Sequence, residues 1–279
     1  MTYLRATSLD DALAELARQP RRVICGSTDA YADPAERAPA AGWLDVAGLD
    51  ALRGIATQDR AVRLGAAVTW DEIDRSPLMP TSLREAARQI GARPIRIAGS
   101  IGGNLCHAAS AADGVPPLLT LEAHVELASM RGLRRLPLDQ FLLGRRRTAR
   151  QPDELMTAIT WMSPGATERT AFIKCANRDG TALAVVSAAV RLRWSEAGVL
   201  ALARIAIGAA SEVPVRAREL EARLEGARPQ DLTARIRDAG LPELSPIDDV
   251  RGSAALRRHL ARIAVERACA RCNGDGGRA

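Results

Sequence analysis

Between residues 97 and 104 the chain reads Ile97-Ala98-Gly99-Ser100-Ile101-Gly102-Gly103-Asn104, three glycines and small polar residues set between apolar runs. Positions without a bulky Cβ let the backbone approach a ligand closely and aim N–H groups at it, so the stretch predicts a phosphate-cradling turn. It matches neither G-x-G-x-x-G nor G-x-x-x-x-G-K-[ST], which excludes the Rossmann and P-loop fingerprints here. Read alone, it also fits a tight turn of purely structural use.

A second small-residue segment lies upstream. Arg21-Arg22-Val23-Ile24-Cys25-Gly26-Ser27-Thr28-Asp29 predicts a short buried strand running into a turn and then a helix, again offering N–H groups to an anion. Two such cradles suit one extended diphosphate held between them.

With both segments present in this order, the chain resembles the FAD-binding subunits of the molybdenum hydroxylases, the xanthine dehydrogenase and carbon monoxide dehydrogenase group. That family has a small-Gly-Gly-Thr-Asp-like turn near its N-terminus and a later Thr/Ser-Ile-Gly-Gly-Asn motif. The corresponding residues are Cys25-Gly26-Ser27-Thr28-Asp29 and Ser100-Ile101-Gly102-Gly103-Asn104. Its Asp-x-Arg-Gly-Ser element matches Asp249-Val250-Arg251-Gly252-Ser253, although Leu256 replaces the usual tyrosine before Arg257.

The resemblance spans nearly the whole chain and implies an α+β fold: a two-lobed, PCMH-like FAD-binding domain, then an antiparallel sheet with three helices. It implies a flavin domain over residues 1–165, with lobes of about 1–55 and 56–165, and a C-terminal domain over 166–272. Residues 273–279, glycine-rich and polar, read as a disordered tail.

Carried over residue by residue, the resemblance places the FAD pyrophosphate against Val23, Ile24, Cys25, Gly26, Ser27, Thr28 and Asp29, and against Ser100, Ile101, Gly102, Gly103 and Asn104. Ile90 and Met156 match apolar positions packed on the flavin, although each alone reads as core. Asp113 matches an acid of the cofactor site and on local grounds also reads as the N-cap of a helix beginning at Gly114. Lys174 matches a lysine near the flavin. It is the only lysine among the 39 lysines and arginines, which suggests a place that wants a compact point charge instead of a planar fork. His107, between the second motif and Asp113, reads as a phosphate donor or a loop-lining residue. No residue is needed as a nucleophile, and no aromatic follows Lys174 to cover the flavin ring.

Composition sets the boundaries of this reading. At 279 residues the chain exceeds a single domain of ~100–200 residues. A net charge of +6 raises nucleic acid as a partner, but the basic residues are scattered and aromatics for base stacking are only 3%. A solvated basic face, or a docking surface for acidic partner subunits, is the better reading. No apolar run approaches the ~20 residues that span a bilayer, and Met1-Thr2-Tyr3-Leu4-Arg5 opens no signal peptide, so a cytoplasmic protein is expected.

Five cysteines, odd in number and mostly far apart, suit a reducing compartment. The Cys269/Cys272 pair lacks the further ligands of a zinc site, and no cysteine-dense insertion suggests an iron–sulfur cluster on this chain.

Local patterns fill in the elements. Ser8 caps a helix with Leu9, Ala12, Leu13 and Leu16 on one face, and Thr69 caps a short helix from Trp70. A helix is expected from Ser82 to Ile90 and another from Gly114 to Leu121, with Pro116 and Pro117 in its first turn. Strands are expected at 3–6, 23–25, 43–46, 62–66, 124–127, 133–136, 155–161, 169–174, 183–194 and 202–207. Helices at 215–224, 231–239 and 254–270 close the chain.

The function implied is an FAD-containing electron-transfer subunit. Its expected partners are a molybdopterin-binding large subunit and a small subunit with two iron–sulfur clusters, assembled as a dimer of heterotrimers. A self-contained flavin oxidase and a flavin-free scaffold subunit are the rival readings.

Overall fold

The computed structural model describes residues 3–30, 42–178 and 182–273. Three strands open the chain: β1 (Tyr3–Arg5), β2 (Arg22–Ile24) and β3 (Trp43–Asp45), all parallel in the order β1-β3-β2. Helix α1 (Leu9–Arg18) connects the first two. Ser8 Oγ accepts the Asp11 N–H at 3.1 Å as its N-cap, and Ala12, Leu13 and Leu16 are buried with Leu44, Val46 and Leu52.

The second lobe is an antiparallel sheet. Its strands are β4 (Ile55–Gln58), β5 (Ala61–Gly65), β6 (His124–Ser129), β7 (Gly132–Pro137) and, after the small hairpin β8 (Leu142–Gly144) and β9 (Arg147–Thr148), β10 (Leu155–Met162). Their order is β4-β5-β10-β6-β7. A register shift in β10 between Met156 and Ala158 leaves Thr157 extra, and its carbonyl accepts the Ala66 N–H at 3.0 Å.

Six short helices belong to this lobe: α2 (Trp70–Arg75), α3 (Thr81–Arg88), α4 (Arg93–Ala98), α5 (Ile101–His107), α6 (Val115–Thr120) and α7 (Leu138–Phe141). Thr69 and Glu72 form a reciprocal capping box at the start of α2.

The third lobe has strands β11 (Glu168–Cys175), β12 (Val186–Trp194), β13 (Leu200–Gly208) and β14 (Val215–Arg216), antiparallel in that order. Helices α8 (Arg218–Leu224), α9 (Leu232–Arg237) and α10 (Ala254–Cys272) follow. One sheet face packs on α10 through Ala261, Ala264, Val265 and Ala268. The other packs on the second lobe, where Phe172 and Ala189 meet Ala86 of α3 and β12 and β13 meet α6. Cover on both faces explains the apolar run Val186-Ser187-Ala188-Ala189-Val190, all buried.

Several elements differ from the sequence reading. Residues 215–224 are not one helix. Val215 and Arg216 pair with Ile207 and Ala206, and the helix starts at Arg218, because the buried Arg216 guanidinium is tied to Glu221, whose Oε1 also accepts the Ile205 N–H. β12 begins at Val186 instead of 183. Asn273 caps α10 through its own N–H instead of opening a tail. The remainder of that tail, and most of the helix read after Thr28, lie outside the described residues. Among the described residues no helix is long and apolar enough to cross a membrane.

Candidate functional site

The first sheet presents its ligand side at the carboxyl end of β2, where the chain leaves the strand as Cys25 to Asp29; open parallel sheets place their binding crevices at such ends. Ser27 turns into the left-handed region, with φ 56°, a local reversal that aligns successive N–H groups around a concavity. The N–H groups of Ser27, Thr28 and Asp29 have no protein acceptor among the described residues, whereas that of Gly26 donates to the Cys25 sulfur. The three form a row of donors that no described residue satisfies.

The later glycine segment contributes differently from its sequence reading. Ser100 is the N-cap of α5, and its Oγ accepts the Gly103 N–H at 3.2 Å. The Ile101 N–H donates to Val68 O at 3.0 Å and the Gly102 N–H to Ala66 O at 2.8 Å. The segment is thus a helix start whose first donors are already engaged, and what it offers is space.

A Cβ on Gly102 would stand 2.7 Å from Ala66 O, and one on Gly26 would stand 1.7 Å from Ala98 O. These two glycines let the segments lock against β5 and α4. A Cβ on Gly103 would meet only Ser100 Oγ, at 3.0 Å, so this position keeps room open.

Between the two segments lies a cavity of about 710 Å³, a size typical of small-molecule sites. Val23, Ile24, Cys25, Gly26, Ser27, Thr28 and Asp29 line it on one side, and Ser100, Gly102, Gly103 and Asn104 on the other. Ile90 and Met156 complete it, the latter on β10 beside the extra residue Thr157. Asn104 Oδ1 is buried without a partner among the described residues, an acceptor that a ligand hydroxyl would satisfy. The Cys25 thiol hydrogen-bonds Ser100 and joins the two segments. Burial pushes that thiol up, and does the same to Cys106, which also lines the cavity.

Three of the residues named from sequence do not line this cavity. Ile101 is fully buried in the core of the second lobe. Asp113 is not a helix cap, since α6 is capped at Gly114 with no side-chain bond. Its Oδ2 instead accepts the Lys174 ammonium at 2.7 Å, and Lys174 Nζ also donates to Gln89 O at 3.0 Å. Both side chains are nearly inaccessible to solvent. Burial raises the Asp113 carboxyl above its ordinary range, and the Lys174 charge opposes this without cancelling it. The pair is thereby tied to the backbone beside Ile90, a residue of the lining.

The lining also holds residues that the sequence did not single out. Trp70 comes from the start of α2, and Arg146, Arg147 and Arg150 come from the β8–β9 hairpin and the loop after it. His107, at the C-terminal end of α5, is part of the lining too.

Comparison with known proteins identifies the family of the chain. Residues 1–161 match the family described as the FAD binding domain in molybdopterin dehydrogenase, and residues 171–272 match the CO dehydrogenase flavoprotein C-terminal domain. The chain is 33% identical over 237 residues to the nicotinate dehydrogenase FAD-subunit of Eubacterium barkeri, covering 81% of this chain and 77% of that one. It is 30% identical over 268 residues to a putative xanthine dehydrogenase FAD-binding subunit of Escherichia coli K12, covering 93% and 91%.

In three dimensions the chain superposes on a chain of the carbon monoxide dehydrogenase of Hydrogenophaga pseudoflava with a TM-score of 0.91 at 26% identity. That superposition covers 98% of this chain and 97% of the other.

The cavity fits the cofactor of that family. A donor row suits a diphosphate, a glycine leaves space beside it, an unmet acceptor suits a hydroxylated linker, and apolar walls suit flat rings. The chain belongs to the family of FAD-binding subunits of the molybdenum hydroxylase dehydrogenases, oxidoreductase subunits whose cofactor is FAD.

Proposed function

We propose that this chain is the electron-transfer subunit of a three-component molybdenum hydroxylase, working with a molybdopterin-binding large subunit and a small subunit carrying two iron–sulfur clusters, as a dimer of heterotrimers. The observation that carries the reading is the row of N–H groups of Ser27, Thr28 and Asp29, unmet among the described residues, that shares one cavity with Gly103 and Asn104. When bound, FAD supplies redox exchange between one-electron carriers and an external two-electron acceptor.

The protein's part is binding, orientation and electrostatics. The donor row takes up the negative charge of the diphosphate, and Asn104 Oδ1 accepts from a hydroxyl. Ile90, Trp70 and Met156 exclude water from the walls. Lys174 and Asp113 hold Gln89 and thereby the Ile90 wall in place. The five cysteines are all free, which supports a reducing, cytoplasmic setting.

Affinity purification of the tagged chain from its native host tests the assembly. Two further subunits, together with molybdenum and iron, should accompany it. A chain that emerges with flavin but alone, from cells grown under several carbon sources, would contradict the three-component reading.

A further inference from the structure

Arg150 sits in the loop between β9 and β10 and lines the cavity. Its Nη1 donates to three carbonyls, Gln151 O at 3.1 Å, Pro152 O at 3.5 Å and Glu154 O at 2.7 Å. Nε and Nη2 have no acceptor among the described residues. The guanidinium is therefore fixed by one edge while its other donors are unspent. Its charge reaches the cavity interior, since it partly offsets the burial that raises the Cys106 thiol.

Three of the other cations near the cavity are placed differently. Arg22 lies over the Trp43 ring, 5.2 Å from its centroid, and Arg147 is exposed on the hairpin. Lys174 is matched by Asp113 and does not line the cavity. Asp29 contributes a negative charge to the lining.

A diphosphate taken into a cavity leaves water with two negative charges, and backbone N–H groups return only partial charges. A full charge on a planar fork meets phosphate oxygens with two directed bonds. An anchored fork has already lost its rotamer freedom before the ligand arrives, which lessens the cost of binding. We propose that Arg150 is the fixed cation that holds the diphosphate of the cofactor, an assignment that rests on the FAD reading of the cavity.

The test measures dissociation constants of FAD and riboflavin for the full chain, stripped of flavin, as wild type, Arg150→Gln and Arg150→Lys. Arg150→Gln should raise the Kd of FAD about tenfold or more, the size of one lost charge-assisted bond. Arg150→Lys should fall between. Riboflavin, which lacks the diphosphate, should bind all three alike. An unchanged Kd for FAD, or an equal loss for riboflavin, overturns the assignment.

If Arg150→Gln does not fold, the wild type decides. Raising salt from about 50 to about 500 mM must weaken FAD more than riboflavin, and equal sensitivity overturns the assignment. A wild type that binds neither flavin would refute the FAD reading itself, a different result from either.

Discussion

Lys174 Nζ lies 2.7 Å from Asp113 Oδ2, which joins β11 of the C-terminal sheet to the loop that leads into α6 across 61 positions of sequence. The same strand is held to α3 by two further bonds, from the Ser82 N–H to Thr170 Oγ1 at 3.1 Å and from the Phe172 N–H to Glu85 Oε2 at 2.7 Å. The single lysine of the chain is therefore a clasp between the sheet and the lobe that forms the cavity. Asp113 Oδ1 is buried without a partner among the described residues, where the carboxylate depends on that ammonium.

Removing the ammonium leaves a buried charge without compensation. Lys174→Met should cost about 3–5 kcal/mol of unfolding free energy, as for other buried pairs broken on one side. The sign with pH follows from Asp113, whose carboxyl is raised above its ordinary 3.8 in the folded chain. Such a group stabilises the fold most when protonated, and its contribution fades as pH rises past the unfolded value. The deficit of Lys174→Met, measured by urea unfolding, should therefore be larger at pH 8 than at pH 5. Adding Asp113→Leu should restore most of the loss. A deficit that is the same at both pH values would mean that the pair is not the cause.

The glycines of the two segments should separate by role. Gly102→Val drives side-chain atoms into Ala66, so it should lower the melting temperature sharply or abolish folding. Gly103→Val meets open space apart from Ser100 Oγ and should melt near the wild type while losing the visible flavin band. Circular dichroism melts with absorbance spectra of the purified variants check this. Full flavin occupancy in Gly103→Val would remove this position from the site.

Much of the site's location was readable as composition in order: small residues after a buried strand, then a second glycine group. Caps at Ser8 and Thr69, and the alternating or continuous apolar strands, were equally local. What was not readable depends on distant partners. Residues 101–107 hold two adjacent glycines, poor helix formers, and become α5 because Val68 O and Ala66 O take the first N–H groups. Val215 and Arg216 carry a helical pattern but are drawn onto β13 by the pairing of Arg216 with Glu221. Lys174 stood out as a lone lysine, yet only the fold shows that Asp113 meets it. Arg150, one arginine among many in a polar loop, carries no local sign that it faces a cavity.

The account has the cavity hold FAD through the N–H groups of Ser27 to Asp29 and the space at Gly103, with no covalent bond, and one measurement meets it directly. The purified chain is precipitated with acid, and the flavin in supernatant and pellet is quantified and identified by chromatography. The account predicts one FAD per chain, all of it in the supernatant. Flavin retained in the pellet, a mononucleotide in place of FAD, or a colourless protein would contradict it.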